Sequence, residues 1–260
     1  MILSLMKFHQ INLEKDPLQV LYAQYAITSF DQGIAVKGLL HYFLYTKTIL
    51  LYQSNEKHKE FLKRAISLDD LGCFGLTEFH HGSYSKGLET LATYNHKTKE
   101  FVLTTQGTKG MKFWIGAAAE IANMSIIWAQ LIVNGKSYGP HPFIVQIRNN
   151  KTHHVLPGIT IGDCGPKVGL NYIDNGYIIL DNVRISKDNL LGKFGDIDEN
   201  GKYVSDIENL DVRFGLHMSA LSGGRGLLAF SNNSASINAL TIALRYACNR
   251  KQFDNPKKTD

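Results

Sequence analysis

A chain of 260 residues, 44% apolar and 20% charged, has the composition of an ordinary globular protein, which excludes disordered and fibrous classes. Its net charge of +5 comes from lysines scattered along the whole sequence, the pattern of a solvated surface rather than a nucleic-acid-binding stripe. No apolar run reaches the roughly 20 residues that span a bilayer, and Met1–Met6 lacks the basic and apolar regions of a secretory signal, so a soluble intracellular protein is expected. Cys73, Cys164 and Cys248 are widely spaced and odd in number, which points to reduced thiols.

Residues 1 to about 70 read as helical. Asp16 before Pro17 is a cap with proline at the first helical position, and Leu18, Leu21, Tyr22 and Tyr25 follow on one face. A further helix is expected near Ser54, capping the amides of Glu56 or Lys57 and burying Phe61, Leu62, Ala65 and Ile66.

From about 73 to 190 the texture is β-like. Leu91–Tyr94 and Phe101–Leu103, separated by a polar stretch, read as a hairpin, and Phe143–Ile147 reads as a strand. Leu156-Pro157-Gly158 is a turn; Tyr177–Leu180 and Val183–Ile185 are strands divided by Asp181-Asn182. Ala117 to Val133 fits a strand or a helix equally well. After Asp206 helical texture returns, with Ile237, Leu240, Leu244 and Ala247 at helical spacing. The expected class is therefore α+β: a helical segment over 1–72, a β-rich middle domain over 73–196, and helices over 197–260. The apolar face of the last helix calls for a partner, either the β part or another segment or chain.

Several apparent motifs fail on spacing. Asp196-x-Asp198-x-Asn200-Gly201 opens like a calcium loop, but its twelfth position is Ile207, which leaves an acidic turn. Gly135-Lys136-Ser137 lacks the upstream glycine of a phosphate loop, since Gln130 stands there, and Gly223-Gly224-Arg225-Gly226 follows no strand. The pairs His80-His81 and His153-His154 project in different directions and suit no metal site.

One segment resists such plain readings. Cys73-Phe74-Gly75-Leu76-Thr77-Glu78-Phe79-His80-His81-Gly82-Ser83 is followed by Gly87-Leu88-Glu89-Thr90-Leu91-Ala92-Thr93-Tyr94. Together they resemble the TE-x-x-HG-S…G-x-E-T-x-A-T-Y signature of acyl-CoA oxidases. The resemblance continues in order through Lys112-Phe113-Trp114-Ile115-Gly116, His141–Arg148, Pro157–Gly169, Asp174-Asn175-Gly176, Asp181–Ile185, Arg213-Phe214-Gly215, Ser222–Arg225 and Ile242–Tyr246. It covers nearly the whole chain and is densest from 73 to 192.

The resemblance implies a helical front, a β-barrel-like middle domain and the start of a C-terminal helical bundle, with FAD between middle and C-terminal parts. Thr77 then matches the family's flavin-ring contact, where a hydroxyl donates or accepts without adding charge, although a turn threonine explains it too. Gly116 matches the second contact, where a missing Cβ admits a planar ligand. Trp114 could pack on the ring edge or serve as a core tryptophan, and Ser83 with Gly82 could meet ligand phosphates. Arg250 and Gln252, in Arg250-Lys251-Gln252-Phe253, resemble a segment by which related dehydrogenases hold FAD phosphates across a dimer; Asp254 departs from the usual glycine. Arg213 matches a position near acyl-CoA, or is a helix-start arginine. His80 stands where many oxidases have glycine.

By the same resemblance the substrate is acyl-CoA, the location is the peroxisome and the partner is a second copy or a companion chain. The catalytic glutamate is expected beyond residue 260, and Lys257–Asp260 is not a peroxisomal address. An inactive structural subunit and an electron-transferring dehydrogenase are the competing readings. No metal, nucleic acid or membrane span is expected.

Overall fold

The computed structural model describes residues 17–219 and 221–252. The opening Met1–Met6, the Asp16 cap, Phe253, Asp254 and the terminal Lys257–Asp260 lie outside the described residues.

Helices α1 (Pro17–Phe30) and α2 (Gln32–Gly38), a π-helical segment (Leu39–Thr46), α3 (Lys47–Tyr52) and α4 (Glu56–Ser67) form the front. Of the predicted α1 face, Leu18 and Tyr22 are exposed and Tyr25 is half-buried; Gln24, Ile27 and Thr28 are buried. Their position is set by the long C-terminal helix, which α1 meets through Tyr25 on Phe230, with centroids 5.7 Å apart, and Ser29 on Ser234 at 2.5 Å. The cap of α4 is Asn55, whose side chain accepts from the His58 amide, not Ser54. Ser54 is engaged elsewhere, donating to Asp196 and accepting from the Gly192 amide. Ala65 is buried as expected, Phe61 and Leu62 pack partly, and Ile66 is exposed.

The β part is built from β1 (Gly72–Gly75), β2 (Leu91–Asn95), β3 (Glu100–Thr104), β4 (Lys112–Ile115), β5 (Met124–Val133), β6 (Lys136–Gln146), β7 (Ile159–Asp163), β8 (Gly176–Leu180) and β9 (Val183–Ser186). The predicted hairpin is β2–β3, paired from Leu91↔Thr104 to Asn95↔Glu100. The strands on either side of Asp181-Asn182 part company: β8 joins β4 and β7 in a three-stranded sheet, while β9 pairs with β3 in the six-stranded one.

The ambiguous stretch 117–133 is a turn followed by β5, the central strand. Its Ile127, Ala129 and Leu131 face the core shared with Phe101, Phe143 and Ile178, while Met124, Ile126 and Trp128 face the front helices at Tyr45, Ile49 and Ala65. A strand buried on both faces reads as a continuous apolar run, which is why periodicity could not separate it from a helix.

One edge of β5 is antiparallel to β6. The other carries two parallel strands end to end: β1 pairs with Met124–Ile127 and β2 with Gln130–Ile132. The chain leaves the sheet in the gap between them, and residues 76–90 form the excursion.

The acidic turn 196–201 is the bend of a small hairpin, β10 (Asp196–Ile197) with β11 (Tyr203–Val204), where Gly201 takes φ +76°. Helices α5 (Leu210–Ser219) and α6 (Ser222–Asn249) follow. In the C-terminal half of α6, Ile237, Leu240, Ile242 and Leu244 are exposed. No described helix is long and apolar enough to cross a membrane.

Candidate functional site

Thr77 lies at the start of the excursion from the sheet. The Phe113 amide donates to the Thr77 carbonyl at 3.0 Å, and the Phe79 amide donates to Met111, so residues 77–79 run antiparallel along β4. Gly116 is three residues beyond Phe113, at most about 10 Å along a strand. The Thr77 loop and the Gly116 turn therefore flank one short strand.

What holds the Thr77 loop is a buried ion pair. The gap between β1 and β2 leaves the Trp128 carbonyl of β5 without a strand partner; Lys112 Nζ fills it, donating at 2.6 Å. The ammonium also donates to Glu78 Oε1 at 2.8 Å, and both side chains are fully buried. Glu78 in turn accepts from the amides of Glu89 (2.7 Å) and Thr90 (3.0 Å) and from the Thr90 hydroxyl (2.6 Å), capping the start of β2. Burial pulls the Lys112 pKa down to about 8 against the opposing charge of Glu78. Burial works against the Glu78 charge as well, but Lys112 and the amide and hydroxyl donors hold the carboxyl below its ordinary range. Glu78, whose role sequence left open, is thus an anchor for Thr77.

The turn after β4 has an unusual backbone. Trp114 and Ala117 take φ +62° and +70°, the left-handed region, on either side of Gly116. Trp114 is 51% exposed, so it is not a core tryptophan. A Cβ on Gly116 would stand 2.7 Å from Leu40 Cδ1 and 3.3 Å from Ile173 Cγ2. Gly116 and Trp114 line a cavity of about 720 Å³ with Val36 and Leu40 from the front helices and with Pro166–Leu170 and Ile173. This volume falls within the ~300–1,000 Å³ of small-molecule sites. Thr77 is half-buried at the other end of β4 and does not line this cavity.

The other predicted contacts are placed differently. Ser83, Gly82 and His80 are exposed, and His81 pairs with Glu89 at 2.8 Å. Arg250 and Gln252 are exposed at the far end of α6, and among the described residues no contact joins them to the Thr77 loop or the Gly116 turn. Arg213, expected near acyl-CoA, is 3% exposed, and its guanidinium is spent on the carbonyls of Ile207 and Tyr138, both at 2.8 Å, with the Tyr203 ring 5.1 Å away. Through these bonds Arg213 fastens α5 to β6. One helical turn later, His217 is buried among Tyr52, Trp128, His141 and Phe194, and burial lowers its pKa to about 4 and that of His141 to about 3.

A second cavity of about 650 Å³ separates α4 from β9, away from both turns. Its cations are engaged: Arg64 grips Asp70 through two bonds of 2.7 and 2.8 Å, and Lys57 donates to Asn189.

Sequence reasoning missed Lys112 as an anchor, Leu40 as a cavity wall and Asp174 as the acceptor of the Glu120 and Ile121 amides. A lysine inside the apolar run Lys112-Phe113-Trp114-Ile115 was the one available signal.

No protein-family model matches the chain. It is 41% identical over 224 residues to the peroxisomal acyl-coenzyme A oxidase 3 of Arabidopsis thaliana, covering 86% of this chain and 33% of the relative. It is 36% identical over 244 residues to human peroxisomal acyl-coenzyme A oxidase 3, covering 92% and 34%. The crystal structure of acyl-CoA oxidase 3 from Yarrowia lipolytica superposes with a TM-score of 0.86 at 34% identity, over 100% of this chain and 37% of that one. Acyl-CoA oxidase-2 of Caenorhabditis elegans, solved with FAD, ascaroside-CoA and ATP, gives 0.79 at 36% identity over 86% and 33%. By sequence and by fold, the chain is a homologue of the acyl-CoA oxidases and spans about a third of their length.

Proposed function

We propose that this chain is the flavin-cradling portion of an FAD-dependent acyl-CoA oxidase, which converts acyl-CoA and O2 to a trans-2-enoyl-CoA and H2O2 in the peroxisome. The observation that carries the reading is the pairing of Thr77 with Phe113, which aligns the Thr77 loop with the strand that enters Trp114-Ile115-Gly116. The residues suit a flat apolar ring with polar edges. Gly116 and Leu40 form a cradle that a Cβ would fill, Trp114 offers an exposed indole, and Thr77 supplies a hydroxyl nearby.

FAD, when bound, supplies hydride acceptance from the substrate β-carbon. Gly116 admits the ring against the backbone, Leu40 and Ile173 exclude water from its face, and Thr77 orients a polar edge. The α-proton is removed by a glutamate outside this segment, in the portion that follows residue 260. Ser83, Arg250 and Gln252 remain in this proposal as phosphate contacts made once the rest of the protein or a second copy is in place. We assign residues 1–72 to the front, 73–196 to the flavin- and acyl-CoA-binding part and 197–260 to the first helices of the bundle. The exposed face of α6 packs on the remaining helices, in the same product or in a companion chain.

The test is spectroscopic. The purified chain is titrated with FAD while flavin fluorescence and the visible spectrum are followed, and the product carrying the C-terminal portion is assayed for H2O2 with acyl-CoA. Saturable 1:1 binding, weakened by Thr77→Val, is expected. A chain that leaves the flavin spectrum unchanged, alone and within the longer product, refutes the reading and favours an inactive structural subunit. Reoxidation by an artificial acceptor but not by O2 favours the dehydrogenase.

A further inference from the structure

We infer that Arg148 is the positioning residue of the Gly116 turn; the inference rests on reading that turn as a flavin contact. Arg148 is 4% exposed and follows β6. Its Nη1 donates to the Ala122 carbonyl at 2.5 Å, and its Nη2 donates to those of Ala118 at 2.9 Å and Ala119 at 2.6 Å. All three carbonyls belong to the turn that follows Gly116. No carboxylate lies within ion-pair distance of the guanidinium among the described residues, so carbonyl dipoles alone solvate a buried cation. Burial accordingly lowers its pKa, against the more distant carboxylates of Asp174 and Glu120.

The opposite side of the same turn is held by an anion. Asp174 Oδ2 accepts from the Glu120 amide at 2.9 Å and the Ile121 amide at 3.0 Å. A six-residue turn thus has its carbonyls drawn toward a cation on one side and its amides toward a carboxylate on the other. The backbone explains the need. Trp114 and Ala117 both sit in the left-handed region without being glycine, a conformation that persists only where the surroundings over-determine it. The planar fork of arginine can serve carbonyls from three residues at once; an ammonium on a shorter stem cannot span the same set. Arg148 acts through the turn; among the described residues its guanidinium bonds reach Ala118, Ala119 and Ala122 and not Trp114 or Gly116, so its effect on a ligand is indirect.

The test reads the turn twice, without and with FAD. The chain has two tryptophans; Trp128 is buried, so iodide reports on Trp114 alone. In the chain without flavin, Arg148→Ala is expected to raise iodide quenching of Trp114 toward that of free N-acetyltryptophanamide. Guanidinium ion, added far below denaturing concentrations, is expected to restore the original quenching. FAD affinity is expected to fall about tenfold in Arg148→Ala, equivalent to about 1.4 kcal/mol. Arg148→Lys, which keeps the charge and loses the fork, should weaken FAD with little change in melting temperature. It carries the test should Arg148→Ala fail to fold. Arg184→Met, an exposed side chain of β9, serves as the unaffected control. Wild-type quenching and wild-type FAD affinity in Arg148→Lys and, where it folds, Arg148→Ala would overturn the inference. A wild-type chain that binds no FAD would remove the flavin reading, while iodide quenching would still decide whether Arg148 orders the turn.

Discussion

Removing either member of the Glu78–Lys112 pair should cost more than removing both would suggest. At 2.8 Å and an effective dielectric constant of about 20, the charges attract by about 6 kcal/mol before desolvation. Both side chains are fully buried, so each single change strands a charge or an orphaned acceptor. Lys112→Met leaves Glu78 ionised among its amide donors and frees the Trp128 carbonyl. Glu78→Gln leaves the ammonium without a counter-charge and turns an amide NH2 toward the Glu89 or Thr90 N–H. Each single substitution is expected to destabilise the fold by about 3–5 kcal/mol. The double substitution Glu78→Gln/Lys112→Met should fall short of their sum by at least about 2 kcal/mol, because no charge is then left alone. Urea denaturation of the four proteins at pH 7, with a common m-value, closes the cycle. Additivity within about 0.5 kcal/mol would mean that the two groups do not sense each other, and the anchoring of Thr77 would lose its basis.

The buried histidines make stability depend on pH in a stated direction. His217 has a folded pKa of about 4 against an ordinary 6.5, so below pH 6.5 the unfolded chain takes up a proton that the folded chain refuses. Stability therefore falls with pH across 6.5 to 4, by about 2 kcal/mol at pH 5 for this group alone, and melting curves of His217→Leu should show a shallower slope. The charged and titrating groups facing His217 are Arg213 and His141, and the latter, with a pKa of about 3, contributes with the same sign. Gly116→Ala should cost little stability, since its Cβ meets a rotatable Leu40 methyl, but should weaken FAD measurably in a fluorescence titration. Leu40→Ala in the same chain should recover part of that loss. Gly72→Ala should cost about 1–3 kcal/mol or more in urea, because its Cβ would stand 2.0 Å from the Tyr45 ring, which is wedged between the π-helical segment and β1.

How much of this was legible in the sequence depended on whether the cause was local. The β2–β3 hairpin was readable because Asn95 organises its own turn, accepting from the Lys97 and Thr98 amides. The α4 cap was misplaced by one residue because Ser54 and Asn55 are both competent, and only the demand of Gly192 and Asp196 for Ser54 decides between them. The π-helical segment gave no signal, since Leu39–Thr46 carries no glycine or proline to mark a change of helix type. Arg213 was singled out by resemblance alone; its bond to the Tyr138 carbonyl, 75 positions away in sequence, is invisible to any local rule. Thr77 and Gly116 were found by resemblance, yet the residues that aim them were not, because Lys112 answers a vacancy in the ladder that exists only once β1 and β2 have taken their places on β5.

That vacancy explains where a loop can leave the sheet at all. Two strands laid end to end on one edge of β5 create a gap, and the chain escaping through it can present polar side chains without breaking either ladder. The cost is an unpaired carbonyl deep in the core, at Trp128, and an apolar plug would leave it unpaired. A cation satisfies it; the cation then requires a carboxylate, and that carboxylate finds its remaining partners in the amides that start β2. The same sequence of needs appears at the Gly116 turn, where inward carbonyls call for Arg148 and outward amides for Asp174. Glu78, Lys112 and Arg148 thus fix both turns from the interior, out of reach of mobile ions. Salt that screens the exposed Lys59–Glu56 pair should leave the spacing between Thr77 and Gly116 unaltered.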